Sequence, residues 1–255
     1  MKRVRVIPTL TLDNEKLVKT VQFKKPNYIG DPINAVKIFN EKEVDEVVLL
    51  DITATKQNRE PNYSKIEEIA SEAFMPFAYG GGIKTLHQIE KLFKLGIEKI
   101  VLNSVLAKDL TIITEAAKIF GSQSVVASVD VAKNLFSKQA AYTFSGTKKI
   151  KTPLLDFIKQ LEEKGAGELL INAINKDGTY TGYDTTLLSL ISKQVNIPIV
   201  ACGGARNTND ILLAIQAGAA AAAASSIFVY QGTQKGILIN YPSQEKLVQE
   251  VYSKL

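Results

Sequence analysis

Apolar positions along this chain fall into two alternating registers. Short runs rich in Val, Ile, Leu and Ala occupy residues 4–9, 46–51, 76–79, 99–103, 125–130, 168–172, 198–202 and 220–224, the length of buried strands. Between them, residues 32–41, 63–74, 86–95, 111–120, 154–164, 186–194, 208–217 and 243–254 repeat apolar side chains at helical spacing. Gly96, Gly121, Gly165 and Gly218 follow four of these stretches and suit helix C-terminal stops. Strands in strict alternation with helices predict a parallel sheet closed by crossovers, and eight of each predict a (β/α)8 TIM barrel over residues 1–255.

The two halves of the pattern echo one another. A shift of 122 carries Gly81 onto Gly203, and the distance from Gly82 to Asn103 equals that from Gly204 to Ser225. A shift of 119 lays Val6-Ile7-Pro8-Thr9-Leu10-Thr11 over Val125-Val126-Ala127-Ser128-Val129-Asp130. Such a period implies a duplicated half-barrel, with half-repeats at about 1–122 and 123–255. Residues 12–30 and 131–151 read as long loops at matching places in the halves, and long loops at the strand C-terminal face commonly cover an active site.

Composition narrows the class. The chain has 255 residues, is 45% hydrophobic and 22% charged, and carries a net charge of +5. Its basic residues are scattered rather than blocked, which suits anionic metabolites and argues against nucleic acid. The single Cys202 excludes an internal disulfide, and no His, Cys and carboxylate cluster has metal-ligand spacing, so neither a metal nor another cofactor is expected. The first residues lack a secretory core and no apolar run reaches membrane-spanning length, so a cytoplasmic location away from membranes is expected.

The candidate chemistry lies at strand ends. Each of Gly80-Gly81-Gly82 and Gly203-Gly204 closes an apolar run and precedes a helix, which would leave bare N–H groups near an anion; tight turns are the simpler account of either alone. Asn103-Ser104 and Ser225-Ser226 offer further phosphate donors at the next strand ends. A ligand with a phosphate at each end fits two such cradles. Asp130 closes the fifth run, where a general acid or base would stand, or a simple cap. Asp177-Gly178 is either a second acid or a turn. Asp51 is placed for the mouth or for ordering Lys19, while His87, the only histidine, is expected on a helix surface.

Taken together, Arg5-Val6-Ile7-Pro8, Gly30-Asp31-Pro32, Leu50-Asp51-Ile52-Thr53-Ala54, Gly80-Gly81-Gly82-Ile83, Asn103-Ser104, Asp177-Gly178-Thr179 and Gly203-Gly204-Ala205 resemble the cyclase subunit of imidazole glycerol phosphate synthase, the HisF family. The resemblance runs essentially end to end. It implies a barrel that receives ammonia from a glutaminase subunit docked at its N-terminal face and uses it on a phosphorylated small molecule at the mouth. The family's four-residue entrance gate maps onto Arg5, Glu46, Lys99 and Glu168, and Glu98 beside it becomes a docking candidate. Lys19 on the first loop is retained.

One departure stands out. Ring-forming members carry an aspartate at the end of the first strand, paired with the one at Asp130, and the internal repeat places that position at Thr11. Threonine is no carboxylate base near neutral pH. The resemblance therefore points to a HisF-like branch encoded with bacterial surface-polysaccharide genes, in which ammonia passes on to an ATP-dependent amidotransferase that amidinates a nucleotide sugar. Two other readings stay open: a true histidine-pathway cyclase working through Asp130 and Asp177, and a non-catalytic barrel that binds a phosphorylated metabolite.

Overall fold

The computed structural model describes residues 3–133, 138–232 and 234–255. In order, the elements are β1 (Arg5–Asp13), β2 (Lys16–Val21), β3 (Lys24–Gly30), α1 (Pro32–Glu41), β4 (Val47–Asp51), α2 (Tyr63–Ala70), β5 (Phe77–Gly80), α3 (Leu86–Lys94), β6 (Lys99–Leu102), α4 (Thr111–Phe120) and β7 (Val125–Lys133). The second half continues with β8 (Gln139–Thr143), β9 (Lys148–Lys149), α5 (Leu154–Glu163), β10 (Glu168–Ala173), α6 (Thr185–Ser192), β11 (Ile199–Cys202), α7 (Thr208–Gln216) and β12 (Ala221–Ala224). It ends with α8 (Ser226–Val229), β13 (Tyr230–Gln231), β14 (Gly236–Ile237) and α9 (Gln244–Glu250).

Strands β1, β4, β5, β6, β7, β10, β11 and β12 pair in parallel in that order, and β12 returns to β1, so the sheet closes as an eight-stranded barrel. Closure leaves the barrel no free edge. All eight expected strands and helices are present, within a few residues of their expected limits.

Two apolar clusters follow from the alternation of side chains along each strand. The larger lies between strands and helices, where Phe39, Ile66, Ile89, Ile113, Leu161 and Phe228 are almost fully buried. Each such side chain contributes on the order of 1.5–3 kcal/mol by leaving water. The smaller fills the barrel interior: Ile7, Val48, Ala78, Val101, Val126, Leu170, Val200, Ala221 and Ala223. Alanines on β12 keep that column narrow on one side.

The segment 12–30 is not a loop. β1 runs past residue 9 to Asp13 and turns through Asn14 and Glu15 into the β2–β3 hairpin. On the other half, β7 runs to Lys133 and β8 and β9 form the equivalent excursion within 131–151; residues 134–137 of that stretch lie outside the described residues. Backbone pairing with the barrel strands, rather than loop freedom, therefore shapes both covers of the C-terminal face. Among the described residues, no helix is long and apolar enough to cross a membrane.

Candidate active site and barrel floor

Inward positions on the barrel strands alternate by two, so each strand sends a column of side chains from floor to mouth. On β1 these are Arg5, Ile7, Thr9 and Thr11.

At the floor, Arg5 bonds Glu46 and Glu168 on either side, while Lys99 Nζ lies 2.8 Å from Glu46 Oε2 and 3.2 Å from Glu168 Oε2. The four expected gate residues thus form a ring of alternating sign in which each charge meets two opposite ones. Glu46 and Glu168 are 2% and 5% exposed, so their carboxylates depend on these contacts rather than on water. The two acids hold the Arg5 guanidinium well above its ordinary value despite the burial that opposes it. Beside the ring, Asp45 accepts from Arg3, from the Val6 amide and from the Tyr241 hydroxyl, locking the C-terminal segment to the start of β1. Glu98 is exposed on the same face.

The mouth is a cavity of about 150 Å³ whose lining includes Thr9, Thr11, Lys19, Asp130, Asn172, Asp177 and Ser225. Gly81, Gly82, Asn103, Ser104, Gly203, Gly204, Ser226 and Asp51 also border it, so every expected mouth residue converges on one place. Asp130 is 7% exposed, and burial pushes its carboxyl up from 3.8 to about 7. A bond from Asn103 Nδ2 (3.2 Å) works against that rise, and the nearby Asp177 adds to it. A carboxyl titrating near neutrality can exchange protons with a ligand.

Thr11 stands across the mouth with its hydroxyl donated to the Val18 carbonyl of the hairpin. Asp177 Oδ1 accepts from Lys19 Nζ at 2.8 Å, and the same ammonium group also donates to the Thr20 carbonyl. Gln22 adds a backbone bond to Asp177 O and a side-chain bond to Asn175 O. These contacts fasten the β2–β3 hairpin across the mouth.

Several expectations need correction. Asp51 does not order Lys19: its Oδ1 accepts from Thr53 and Ala54, and its carboxylate pairs with Arg59 at 3.2 Å, which fixes the turn after β4. The helices after the glycines have part of their first-turn N–H groups taken by their own side chains. Gln88 Oε1 accepts from the Lys84 and Thr85 amides while Thr85 Oγ1 accepts from Gln88 N, a capping box that satisfies the start of α3. At α7, Asn207 accepts from Asp210 N and Asp210 from Arg206 N.

The glycines also have a packing reason to be there. A Cβ on Gly81, whose φ is +124°, would lie 2.5 Å from Asp51 O, and one on Gly204 would lie 2.3 Å from Gly182 O. Asn103 and Ser104 are tied to the second hairpin through Thr143 Oγ1 and Phe144 N. Ser225 Oγ, by contrast, is buried without a partner. His87 is exposed on α3, as expected.

Sequence reasoning passed over Thr9 and Ser128 as site residues, although stepping two residues at a time along the first and fifth strands reaches both. Among the described residues no group of three or more His, Cys, Asp or Glu side chains could hold a metal ion.

A family profile described as "Histidine biosynthesis protein" matches residues 5–235. The Petrotoga mobilis protein named imidazole glycerol phosphate synthase subunit HisF is 40% identical over 227 residues, 89% of this chain and 90% of its own length. The chain belongs to the HisF family. HisF-type relatives with provisional names are more similar still: the hisF2 protein of Pseudomonas aeruginosa is 48% identical over 248 residues, covering 97% of this chain and 99% of the relative. The hisF3 protein of Vibrio vulnificus is 49% identical over 245 residues, covering 95% and 94%.

Proposed function

We propose that this HisF-type subunit is the synthase half of a glutamine amidotransferase complex, a conduit that takes ammonia from a glutaminase docked on the barrel floor. The ammonia passes the ring of Arg5, Glu46, Lys99 and Glu168, crosses the apolar column and reaches the mouth. From there it supplies an ATP-dependent amidotransferase that amidinates a nucleotide sugar for bacterial surface polysaccharide. In this reading Glu98 is a docking contact and the complex works in the cytoplasm.

The observation that carries the reading is Thr11. The position facing Asp130 holds a hydroxyl already spent on the Val18 carbonyl, so the mouth lacks the second carboxylate that a two-acid cyclisation needs there. The apolar column above the ring offers no hydrogen bonds to delay a small neutral molecule.

One observation favours a second reading, a cyclase of histidine synthesis: Asp130, titrating at about 7, suits general acid–base work, and Asp177 stands near it. In that case Gly81, Gly82, Asn103, Ser104, Gly203, Gly204, Ser225 and Ser226 hold the phosphates after the hairpin opens. Two measurements separate the readings. The conduit reading expects the chain to stimulate a glutaminase partner at least tenfold, yet to form no imidazole glycerol phosphate from its bis-phosphorylated precursor with saturating ammonium salt. Thr11→Asp should restore a measurable fraction of that second activity. A robust wild-type rate with ammonium salt overturns the conduit reading. Failure of both assays, with the phosphorylated precursor bound but unchanged, leaves a non-catalytic binding barrel.

A further inference from the structure

The inner wall of the mouth on the β7–β10–β11 side combines features that the conduit does not use. Asp130 and Asn172 are register partners on neighbouring strands, Cys202 is the partner of Asn172 on the next, and Asp177 follows β10 by one turn. Asp177 Oδ2 and Asn172 Oδ1 are buried with no hydrogen-bond partner, and Thr9 Oγ1, only 4% exposed as a residue, is likewise unpartnered in the same lining. Buried acceptors left open are costly, of order 1–3 kcal/mol each, and persist where something else completes them.

Charge gives the second half of the argument. The cluster holds two carboxylates, Asp130 and Asp177, against one cation, Lys19, whose Nζ is committed to Asp177 Oδ1 and Thr20 O. With both acids ionised the cluster is one positive charge short, and a proton on Asp130 or a bound cation makes up that charge. The open atoms are all acceptors or can act as acceptors, so the missing group is a donor in several directions at once. It must also be small, because the fastened hairpin leaves only about 150 Å³.

We infer that the inner mouth is a holding site for ammonium, bound among Asp130, Asn172, Asp177 and Thr9. Four N–H donors on a compact cation match open acceptors on several sides of the chamber. Ammonia leaving the apolar column takes the Asp130 proton: the nitrogen lone pair forms the new N–H bond, the O–H bond breaks, and the electron pair stays on the carboxylate, which then faces the cation it made. Reversal of the same transfer releases neutral ammonia. Burial supports this exchange by keeping the Asp130 carboxyl protonated up to about pH 7 when the site lacks a cation. Lys19, Asp177 and Cys202 are the titratable groups facing it. The site rests on the conduit reading for its supply of ammonia, but ammonium salt tests it without any partner.

The test is nuclear magnetic resonance on the full chain with isotopically labelled ammonium chloride at constant ionic strength. The expected result is a bound ammonium signal with magnetisation transfer to the side-chain protons of Asn172 and Cys202. Asn172→Leu and Asp177→Asn should each raise half-saturation at least tenfold, and equal potassium chloride should not displace the signal. Should Asn172→Leu fail to fold, the isosteric Asp177→Asn still decides. Absence of a bound signal in the wild type, unchanged half-saturation in the folded variants, or displacement by potassium overturns the site. Stimulation of a glutaminase by the wild type is measured alongside. Stimulation without bound ammonium removes the holding site and leaves the conduit; bound ammonium without stimulation does the reverse.

Discussion

The floor and the mouth of this barrel are both lined by charged residues inside a narrow cylinder, yet they treat those charges in opposite ways. At the floor, two acids and two bases alternate, every carboxylate meets two cations, and no side-chain polar atom of the ring is left buried without a partner. On the inner wall of the mouth, Asp130 and Asp177 share one base, Lys19, and Thr9, Asn172, Asp177 and Ser225 each leave a buried polar atom open. The first arrangement is complete as folded. The second leaves acceptors that a ligand could complete. A substitution should therefore harm the floor and can relieve the mouth, because residues kept for a ligand are held at some expense of stability.

Asp130→Asn gives the largest expected effect and the sharpest test of that contrast. The folded carboxyl titrates at about 7, whereas the unfolded one titrates near ~3.9. Between those values the folded state binds more protons than the unfolded state, so this group's stability contribution falls as pH rises from about 4 to about 7. At roughly 1.4 kcal/mol per unit the loss approaches ~4 kcal/mol. Urea melts of wild type and variant should give a difference curve that grows across that window in favour of Asp130→Asn. A flat difference curve would break the comparison.

Arg5→Leu tests the other side. It removes one of the two cations between Glu46 and Glu168 and leaves both acids largely buried with Lys99 alone. Loss of one partner from a buried ion pair costs about 3–5 kcal/mol, and the one-third exposure of Arg5 places this case near ~3 kcal/mol. The midpoint of urea unfolding at pH 7 should drop accordingly. A loss below about 1 kcal/mol would mean that the ring, like ordinary surface pairs, contributes little.

Lys19→Met acts locally at the mouth. It deletes the pair with Asp177 that fastens the β2–β3 hairpin, while the Gln22 backbone bond to Asp177 O remains. A local destabilisation of about 2 kcal/mol corresponds to roughly thirtyfold faster hydrogen exchange at the Gln22 amide. The amides of β5 and β6 should keep their wild-type rates. Acceleration spread evenly over the barrel would show that the pair supports the fold rather than the cover.

Much of this was legible in the residues, for identifiable physical reasons. Barrel strands such as 125–130 and 198–202 announce themselves because both faces are buried, and helix ends show through Gly96 and Gly165. The floor was readable through the family resemblance, whose gate positions Arg5, Glu46, Lys99 and Glu168 each hold a charge of the implied sign just before an apolar run. The first hairpin was not, since its turns, Asn14-Glu15 and Gln22-Phe23, adopt positive φ without the glycine that usually signals such a turn. Thr85-Leu86-His87-Gln88 spells a capping box at the start of α3, which attention to the glycines before it hid. Asp51 borders the mouth as expected, but a carboxylate at a strand end also serves a neighbouring turn, and Arg59, eight residues on, takes it in place of Lys19.

Thr11→Val carries the smallest expected effect and bears on both halves of the contrast. Valine keeps the β-branched shape suited to β1 and removes only the hydroxyl donated to Val18 O. The loss should be about 1 kcal/mol in urea unfolding, the net value of one such bond. If Thr11 only staples β1 to the hairpin, glutaminase stimulation by the Thr11→Val chain stays within twofold of wild type, and ammonium binding at the inner mouth is unchanged. A large fall in either, without loss of fold, would mean that the hydroxyl contacts what passes through the mouth, and Thr11 would then belong with Asn172 and Asp177 rather than with the hairpin turn.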